Sequence, residues 1–484
     1  MTTENNNKIE NNNIKVQQQP KKYCEILTNV PYIKNLNYGN DLIFNNDLID
    51  TKYGKDDDII EEKYNKSKER LEYFEALPQY EQKSVNWLNQ RKNYICGSEA
   101  GSVLGYNDHE AQYEYFLNKI NENNSKFINF ELVYHGNKHE DDAKHVYEAL
   151  TNTHVLEYGF IPGVRNKKIS IYGASPDGIV SCYKNDMIHK TNKIGRMLEI
   201  KCPARRKINM KLDANPKDII PQYYYPQVIQ QLETCKLEYC DFWQCNFIDY
   251  KNRKQFENDC GVDDYLTKDG KFRGCLIQIL PINIFKEYVD NEILDEASSE
   301  NKFNNLYGKI CVHAKFIHPP TVLQTNQERK QWIEDVKNQK FDEHMAEFYK
   351  IREGYFIHKI IYWKLNNARC LTIRRNSKLF NEIFFPTYQV IWKYKEYFTD
   401  IVNIEKKKLL VDFISYCQKH KKQVIFDNRN LNINNKRSLN NIIMYYIKSL
   451  YDHEIDDKEN KIIVEYAKKN QIEDKNLSSL FDNE

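Results

Sequence analysis

No apolar run in this 484-residue sequence approaches the roughly 20 residues that a bilayer-spanning helix needs, so a membrane-spanning helix is excluded. Met1–Gln19 is polar and rich in Asn and Gln, without the apolar stretch of a secretory leader, and the chain is expected to stay inside the cell. Charge of one sign is also lacking: 71 Lys and Arg stand against 69 Asp and Glu, for a net charge of +2. That balance excludes a generally polycationic coat protein and leaves room for a local basic groove. The 12 cysteines include no CxxC pair, and the tightest set, Cys235, Cys240 and Cys245, is spaced by five. This spacing fits neither a disulfide scaffold, nor a zinc site, nor an iron–sulfur nuclease; it points to reduced thiols in a reducing compartment. Gly101 to Gly105 lacks the Gly-Lys-Ser/Thr ending of a phosphate loop, and His139-Glu140 is followed by Ala143 where a zinc-protease helix needs a second histidine. No internal repeat is present.

What the sequence does have is enough apolar material, 40% of residues, for a sizeable core, and a length that suggests two or three units. Residues 1–69 read as a disordered, low-complexity polar arm. Residues 70–400 carry the pattern of an α/β domain, and residues 401–484 that of a Lys/Asn-rich helical extension. Helical periodicity is expected over 79–92, 99–104, 109–120, 132–150, 222–235 and 325–352. Strand character is expected over 153–161, 169–173, 178–183, 197–201, 239–247, 274–282 and 355–365. The order of these elements predicts a mixed central β-sheet flanked by helices. Local charge is uneven: 17 basic against 6 acidic residues over 361–450, and 5 basic against 10 acidic over 451–484.

Chemistry concentrates in Ala174-Ser175-Pro176-Asp177-Gly178 and in Leu198-Glu199-Ile200-Lys201-Cys202-Pro203. Glu199 and Lys201 are two apart in a strand pattern and therefore share a face. A carboxylate and an ammonium between apolar Leu198 and Ile200 are costly to bury without a purpose. Asp177, at the end of the preceding strand, can converge with Glu199 on one divalent ion, Mg²⁺ with Mn²⁺ as the alternative. Lys201 can then orient water or stabilise charge on a scissile phosphate. Taken alone, an Glu-x-Lys strand is what a solvent-facing salt bridge produces, and Pro-Asp-Gly is an ordinary turn. Their order and setting carry the functional reading.

Further segments surround this pair. Trp87-Leu88-Asn89-Gln90-Arg91 is followed by Cys96-Gly97-Ser98-Glu99-Ala100, where a glycine break puts Ser98 at an N-cap position beside free backbone N–H groups, and Arg91 can add a bidentate phosphate contact. Gly136 to Ala143 holds Glu140 in a run of acids, of which Asp141 and Asp142 read as a solvated helix face. In Tyr224-Tyr225-Pro226-Gln227-Val228-Ile229-Gln230-Gln231, the amides of Gln227 and Gln231 are four apart on one helix face. Arg205 and Arg206, just after the Glu-x-Lys strand, and the Lys/Tyr-rich stretch 361–450 are weaker candidates for contact with a nucleic-acid backbone.

Pro176-Asp177 followed by Glu199-x-Lys201 resembles the PD-(D/E)XK nuclease signature, and the surrounding segments resemble the phage lambda exonuclease and YqaJ-type viral recombinase branch, in the form found in large DNA viruses. The resemblance runs from about residue 75 to about 395. It implies a restriction-endonuclease-like core and a Mg²⁺-dependent enzyme acting from double-stranded DNA ends, in the 5′-to-3′ direction. The roles it implies are Asp177, Glu199, the Ile200 carbonyl and Glu140 as metal ligands, with Lys201 and Gln231 completing the catalytic set. Arg91, Ser98 and Gln227 are implied at the DNA phosphate. A single-strand annealing protein is implied as partner, and a trimeric ring as assembly. An endonuclease using the same site, or a silent DNA-binding scaffold, are the competing readings. One departure from the family pattern is the long interval between Asp177 and Glu199, whose residues 181–196 are expected to form an extended hairpin at the DNA entrance.

Overall fold

The computed structural model describes residues 42–43, 57–121, 130–282, 284, 308–338 and 354–452, apart from residue 83 and scattered positions within 182–192, 212–215 and 420–435. The described residues divide into two compact units: a larger one of those within 36–110 and 117–384, and a smaller one of those within 111–116 and 385–484. Most of the expected polar arm lies outside the described residues. Its last part is corrected by the structure: Asp57–Glu75 is a helix, α1. Tyr64, Leu71 and Phe74 recur on one side of it and are buried, and the Phe74 ring meets Tyr158 edge-on at 5.6 Å. A three-residue apolar stripe among sixteen mostly charged and polar positions is enough to dock a helix but too narrow to stand out in composition.

In the larger unit the chain forms the two-residue strand β1 (Leu42–Ile43), then α2 (Val85–Arg91), β2 (Ile95–Cys96), a 3₁₀ turn at Gly97–Glu99 and α3 (Ala100–Val103). The long helix α4 (Phe130–Thr151) precedes β3 (Val155–Leu156), β4 (Ile161–Arg165), β5 (Lys168–Ala174), β6 (Gly178–Val180) and the small hairpin β7 (Tyr183–Lys184) and β8 (Met187–Ile188). There follow β9 (Met197–Lys201), α5 (Tyr224–Cys235), β10 (Tyr239–Asp249), β11 (Arg273–Pro281), β12 (Lys315–Ile317), α6 (Asn326–Lys337) and β13 (Tyr355–Arg374). The principal sheet has the order β12-β11-β13-β10-β9-β6-β3, with β1 also on β13. Only β9 and β10 run parallel within it; the other pairings are antiparallel, so the sheet is mixed as expected. A second sheet, β2-β5-β4, lies apart from it.

Strand alternation decides what β9 shows to each side. Leu198 and Ile200 join the main apolar cluster with Ala143, Val146 and Tyr147 of α4, together with Trp243. Glu199 and Lys201 face the other way, toward α5. Every residue of α5 from Tyr225 to Cys235 is buried, so the amides of Gln227 and Gln231 are packed inside rather than at the surface. A buried charge network stiffens the same layer. Asp241 of β10 accepts from Arg196 at 2.7 Å, Thr372 at 2.6 Å and Tyr147 at 2.8 Å, so its carboxylate is paired and fully hydrogen-bonded, as a buried charge must be. The described cysteines are free thiols, nine of the ten buried.

The smaller unit is mainly helical: α7 (Phe385–Thr399), α8 (Ile404–Lys419) and α9 (Lys436–Asp452), with a two-stranded ribbon of β14 (Val424–Phe426) and β15 (Arg429–Leu431). Phe413 and Tyr446 stack at 4.0 Å between α8 and α9, and Phe116 meets Phe398 of α7 at 5.8 Å. No helix among the described residues is long and apolar enough to cross a membrane.

Candidate active site

The Pro176-Asp177 turn is fixed from outside its own hairpin. Trp87 of α2 donates its indole N–H to Ser175 Oγ at 3.1 Å, and the Gln82 amide donates to the Pro176 carbonyl at 3.3 Å. Gly178 pairs with Leu198, so Asp177, one step earlier, stands across from Glu199. Its carboxylate accepts from the Ile200 backbone N–H at 2.7 Å, which ties it to the strand that carries Glu199 and Lys201. Gly178 itself could carry no side chain, because a Cβ there would come within 2.2 Å of Val155. The turn is thereby held flat against the sheet beside the two charged residues.

Glu199 is completely buried, and three donors converge on it. Gln227 donates to Oε1 at 2.6 Å, Gln231 donates to Oε2 at 2.9 Å, and Lys201 forms an ion pair with Oε1. Burial alone would favour a neutral lysine, but the carboxylates of Glu199 and then Asp177 outweigh it and hold the Lys201 ammonium well above its usual range. Lys201 also lies 5.0 Å from the centre of the Tyr224 ring. In this arrangement Lys201 is a fixed positive charge rather than a base. The Gln231 carbonyl oxygen is buried without a hydrogen-bond partner beside Glu199. Together with Asp177, Glu199 and the Ile200 carbonyl it makes a set of hard oxygen donors suited to a divalent cation. Among the described residues, no three His, Cys, Asp or Glu side chains gather closely enough to hold a metal ion by themselves. The fit therefore relies on amide and carbonyl oxygens as well as carboxylates.

A second cluster of polar side chains packs against the same helix. Arg91 lies over the Trp87 ring at 4.0 Å, donates to Cys96 Sγ at 3.2 Å and donates to Ser98 Oγ at 2.9 Å. The 3₁₀ turn that presents Ser98 sits on the glutamine helix, since a Cβ on Gly97 would approach Gln231 Cγ to 3.0 Å. Gln230 contributes by donating to the carbonyls of Ile95 at 2.8 Å and Gly173 at 2.9 Å, which staples β2 to β5 beneath this turn. An arginine fork, a hydroxyl and a tight turn, packed against the helix that holds Glu199, form an anion-binding constellation.

Residues 86–238 match the model of the YqaJ-like viral recombinase domain. That stretch is similar to the domain of that family. An uncharacterized protein of Acanthamoeba polyphaga mimivirus is 30% identical over 385 residues, 78% of this chain and 64% of that protein. A protein of African swine fever virus is 28% identical over 177 residues, 32% of this chain and 46% of the relative. The chain thus spans less than two thirds of the length of the curated relatives it matches. An alkaline exonuclease from Laribacter hongkongensis superposes with a TM-score of 0.31 at 14% identity, over 67% of this chain and all of that one. Its complex with dAMP gives a TM-score of 0.32.

The matched stretch begins in α2 and ends just before β10, and all the site residues expected from the sequence fall inside it. The structure brings together Asp177, Glu199, Ile200, Lys201, Gln227 and Gln231 around one point, and Arg91 with Ser98 at another. Gln227, expected at the phosphate, is instead bound to Glu199. Ser98 is not an N-cap: Cys96 occupies that position, and the Glu99 carboxylate takes the Cys96 N–H at 2.9 Å, which leaves the Ser98 hydroxyl exposed for Arg91. Glu140 approaches from α4 at Cys202, whose thiol donates to the His139 carbonyl at 3.5 Å; burial and then the Glu140 charge push that thiol well up.

The acidic run on α4 is not a solvated face throughout. Asp142 is buried against His139 at 2.9 Å, and Asp141 meets His318 at 3.2 Å. His139 in turn reaches Asp249 at 3.3 Å, and Lys138 reaches the same carboxylate at 2.6 Å. The partners come from β10 and from just beyond β12, over 100 residues away, so no local pattern announces them.

Proposed function

We propose that this chain is a divalent-metal-dependent deoxyribonuclease, a 5′-to-3′ exonuclease acting on double-stranded DNA ends in viral recombination, repair or genome processing. The observation that carries the reading is the meeting of Asp177, Glu199 and the Lys201 ammonium at adjacent strand ends, one helix away from the Arg91–Ser98 anion pocket. Asp177, Glu199 and the Ile200 carbonyl would hold Mg²⁺, or Mn²⁺ in its place; the resemblance adds Glu140 of α4, which would have to move toward them, since the three carboxylates do not gather in this structure. A cation held there supplies charge screening at the scissile phosphate and a lowered pKa for the attacking water.

The protein's own residues perform the remaining work. Arg91 and Ser98 bind a phosphate of the DNA end and fix its register. Lys201, permanently charged, donates to a phosphoryl oxygen and stabilises the charge that develops as the water attacks. Gln227 and Gln231 hold Glu199 in place by donating to both of its oxygens. Resemblance to the exonuclease branch supports the 5′-to-3′ direction, and with it a single-strand annealing partner and a ring-shaped homo-oligomer. The free thiols support a reducing intracellular setting.

The test is a digestion course on linear duplexes labelled at either end, bearing 5′-phosphate or 5′-hydroxyl, with Mg²⁺ or with EDTA. Faster loss of the 5′ label from phosphorylated ends, only with Mg²⁺, is the expected result. Asp177→Ala and Lys201→Ala should each abolish digestion while DNA binding survives. Wild-type activity in either variant removes the mechanism, and equal cutting of closed circular duplex would make the enzyme an endonuclease.

A further inference from the structure

Beside Lys201 lies an aromatic step that neither the proposed metal ligands nor the Arg91–Ser98 pair uses. Tyr224, beneath the Lys201 ammonium, is followed outward by Tyr223 at 4.3 Å between ring centres, and Tyr223 by His109 at 5.6 Å. Tyr224 meets Phe242 at 5.7 Å; Tyr224 and Tyr223 are both half-buried, and His109 is exposed. Arg206 stands close enough to act electrostatically on Tyr223, and its guanidinium is itself held by Gln244 at 2.7 Å.

Tyr223 occupies the N-cap of α5, where Ser, Thr, Asp or Asn would serve the helix better, and its side chain makes no cap hydrogen bond. The helix therefore does not explain the residue. Its backbone is nonetheless rigidly placed: a Cβ on Gly101 of α3 would fall 2.6 Å from the Tyr223 carbonyl oxygen, so the two segments touch main chain to main chain. Burial, then Tyr224, push the phenol up to about 12, so a neutral ring faces the approaching polyanion. A fixed, neutral, half-exposed ring next to a fixed cation is the arrangement that receives a nucleobase on its face while the adjoining phosphate meets the charge.

We propose that Tyr223, backed by Tyr224 and flanked by His109, is a positioning residue that stacks on the base of the nucleotide whose phosphate Lys201 engages. The platform reads no base identity, because every base offers a π-face, and it selects a terminal nucleotide already freed from its neighbours in the duplex. This inference rests on the nuclease reading for its substrate but not for its measurement.

The experiment compares wild type, Tyr223→Ala, Tyr223→Phe and Tyr223→Trp on short duplexes carrying either intact bases or a single abasic site at the first, second or third nucleotide from the 5′ end. Affinity is measured in EDTA and digestion with Mg²⁺. Tyr223→Ala should weaken binding and raise KM roughly tenfold on intact ends, the worth of one base–aromatic stack, with kcat little changed. The Phe and Trp variants should restore wild-type behaviour. On the duplex whose abasic site removes the stacked base, wild type should fall to the level of Tyr223→Ala, and the variant should lose nothing more. Equal loss by Tyr223→Ala on intact and on every abasic end, or no loss on any, overturns the stacking role. Absence of digestion by wild type with the binding pattern intact would instead count against the nuclease reading alone.

Discussion

The pair Glu199–Lys201 allows a stringent test in the absence of any substrate. Glu199 is fully buried and the Lys201 side chain is 20% exposed, so each charge depends on the other for compensation. Lys201→Met leaves Glu199 with the two neutral amide donors of Gln227 and Gln231, and removing one partner of a buried pair typically costs about 3–5 kcal/mol. The amides offset part of that, since hydrogen bonds to a charged group are worth about 1.5–3 kcal/mol each, and a loss of about 2–3 kcal/mol is expected. Glu199→Gln leaves the Lys201 ammonium facing Asp177 and turns a third amide toward two amide donors, so about 3 kcal/mol is expected there. The double variant removes both charges together and should lose about 3 kcal/mol rather than the sum, a coupling of about 2–3 kcal/mol. Urea unfolding at pH 7 in EDTA, followed by tryptophan fluorescence, reads the sheet directly because Trp243 and Trp363 lie within its core. Single variants as stable as wild type, or a double variant that loses the full sum, would refute the argument that these two residues form a compensated buried pair.

Other expectations follow from neighbouring groups. Gly97→Ala brings a methyl to 3.0 Å of Gln231 Cγ and displaces the amide from Glu199, so kcat for digestion should fall roughly tenfold while circular dichroism stays unchanged. Gly173→Ala places a Cβ 2.2 Å from Phe160 Cζ and 2.8 Å from the Ile161 carbonyl; with backbone on one side it cannot be relieved cheaply, and a stability loss of about 1–3 kcal/mol in urea is expected. For His318, burial opposes the charge, but Asp142 and Asp141 raise its pKa to about 9. A raised folded-state pKa gives stability that is present below pH about 6.5 and lost as pH rises toward 9, so His318→Gln should flatten the decline of the thermal midpoint in that window. His135 and His145 are pushed down by burial to about 4, and their contribution runs oppositely, being lost as pH falls from about 6.5 toward 4.

Much of the site was legible because its residues sit on strongly patterned elements. β9 has the bounds its alternation predicts, and the Gln helix begins within two residues of expectation, since period-2 and period-3.6 patterns carry local information. The Arg91–Ser98 and Asp177–Glu199–Lys201 pairings also appear as the motifs suggest. Less visible was anything that depends on distant partners. Gln227 reads as a helix-surface amide until Glu199, 28 residues away, is packed beneath it. Asp142 looks like a solvated acid until two histidines close over it. The strand expected at 355–365 runs on to Arg374, because its second half finds β10 as partner, interrupted only by a bulge at Asn366, whose amide donates to Asn246 at 3.0 Å. The helix expected at 325–352 is seen as Asn326–Lys337, with 339–350 outside the described residues. The interval 181–196 does contain the hairpin β7–β8, as its polar composition suggested.

The position of β13 has a consequence for how the molecule is made. Its twenty residues lie between β10 and β11, so the strand that closes the middle of the principal sheet is nearly the last of that unit to leave the ribosome. Until residue 374 has emerged, β10 and β11 present open ladder edges, and the Glu199–Lys201 pair rests on a half-built floor. A fragment cut at 238, where the matched stretch stops, would keep every candidate catalytic side chain and β6, yet lack β10, the parallel neighbour of β9. Expressed alone, such a piece should aggregate rather than cut, and the nascent full-length protein should be most exposed to proteases and chaperones during that same interval of synthesis.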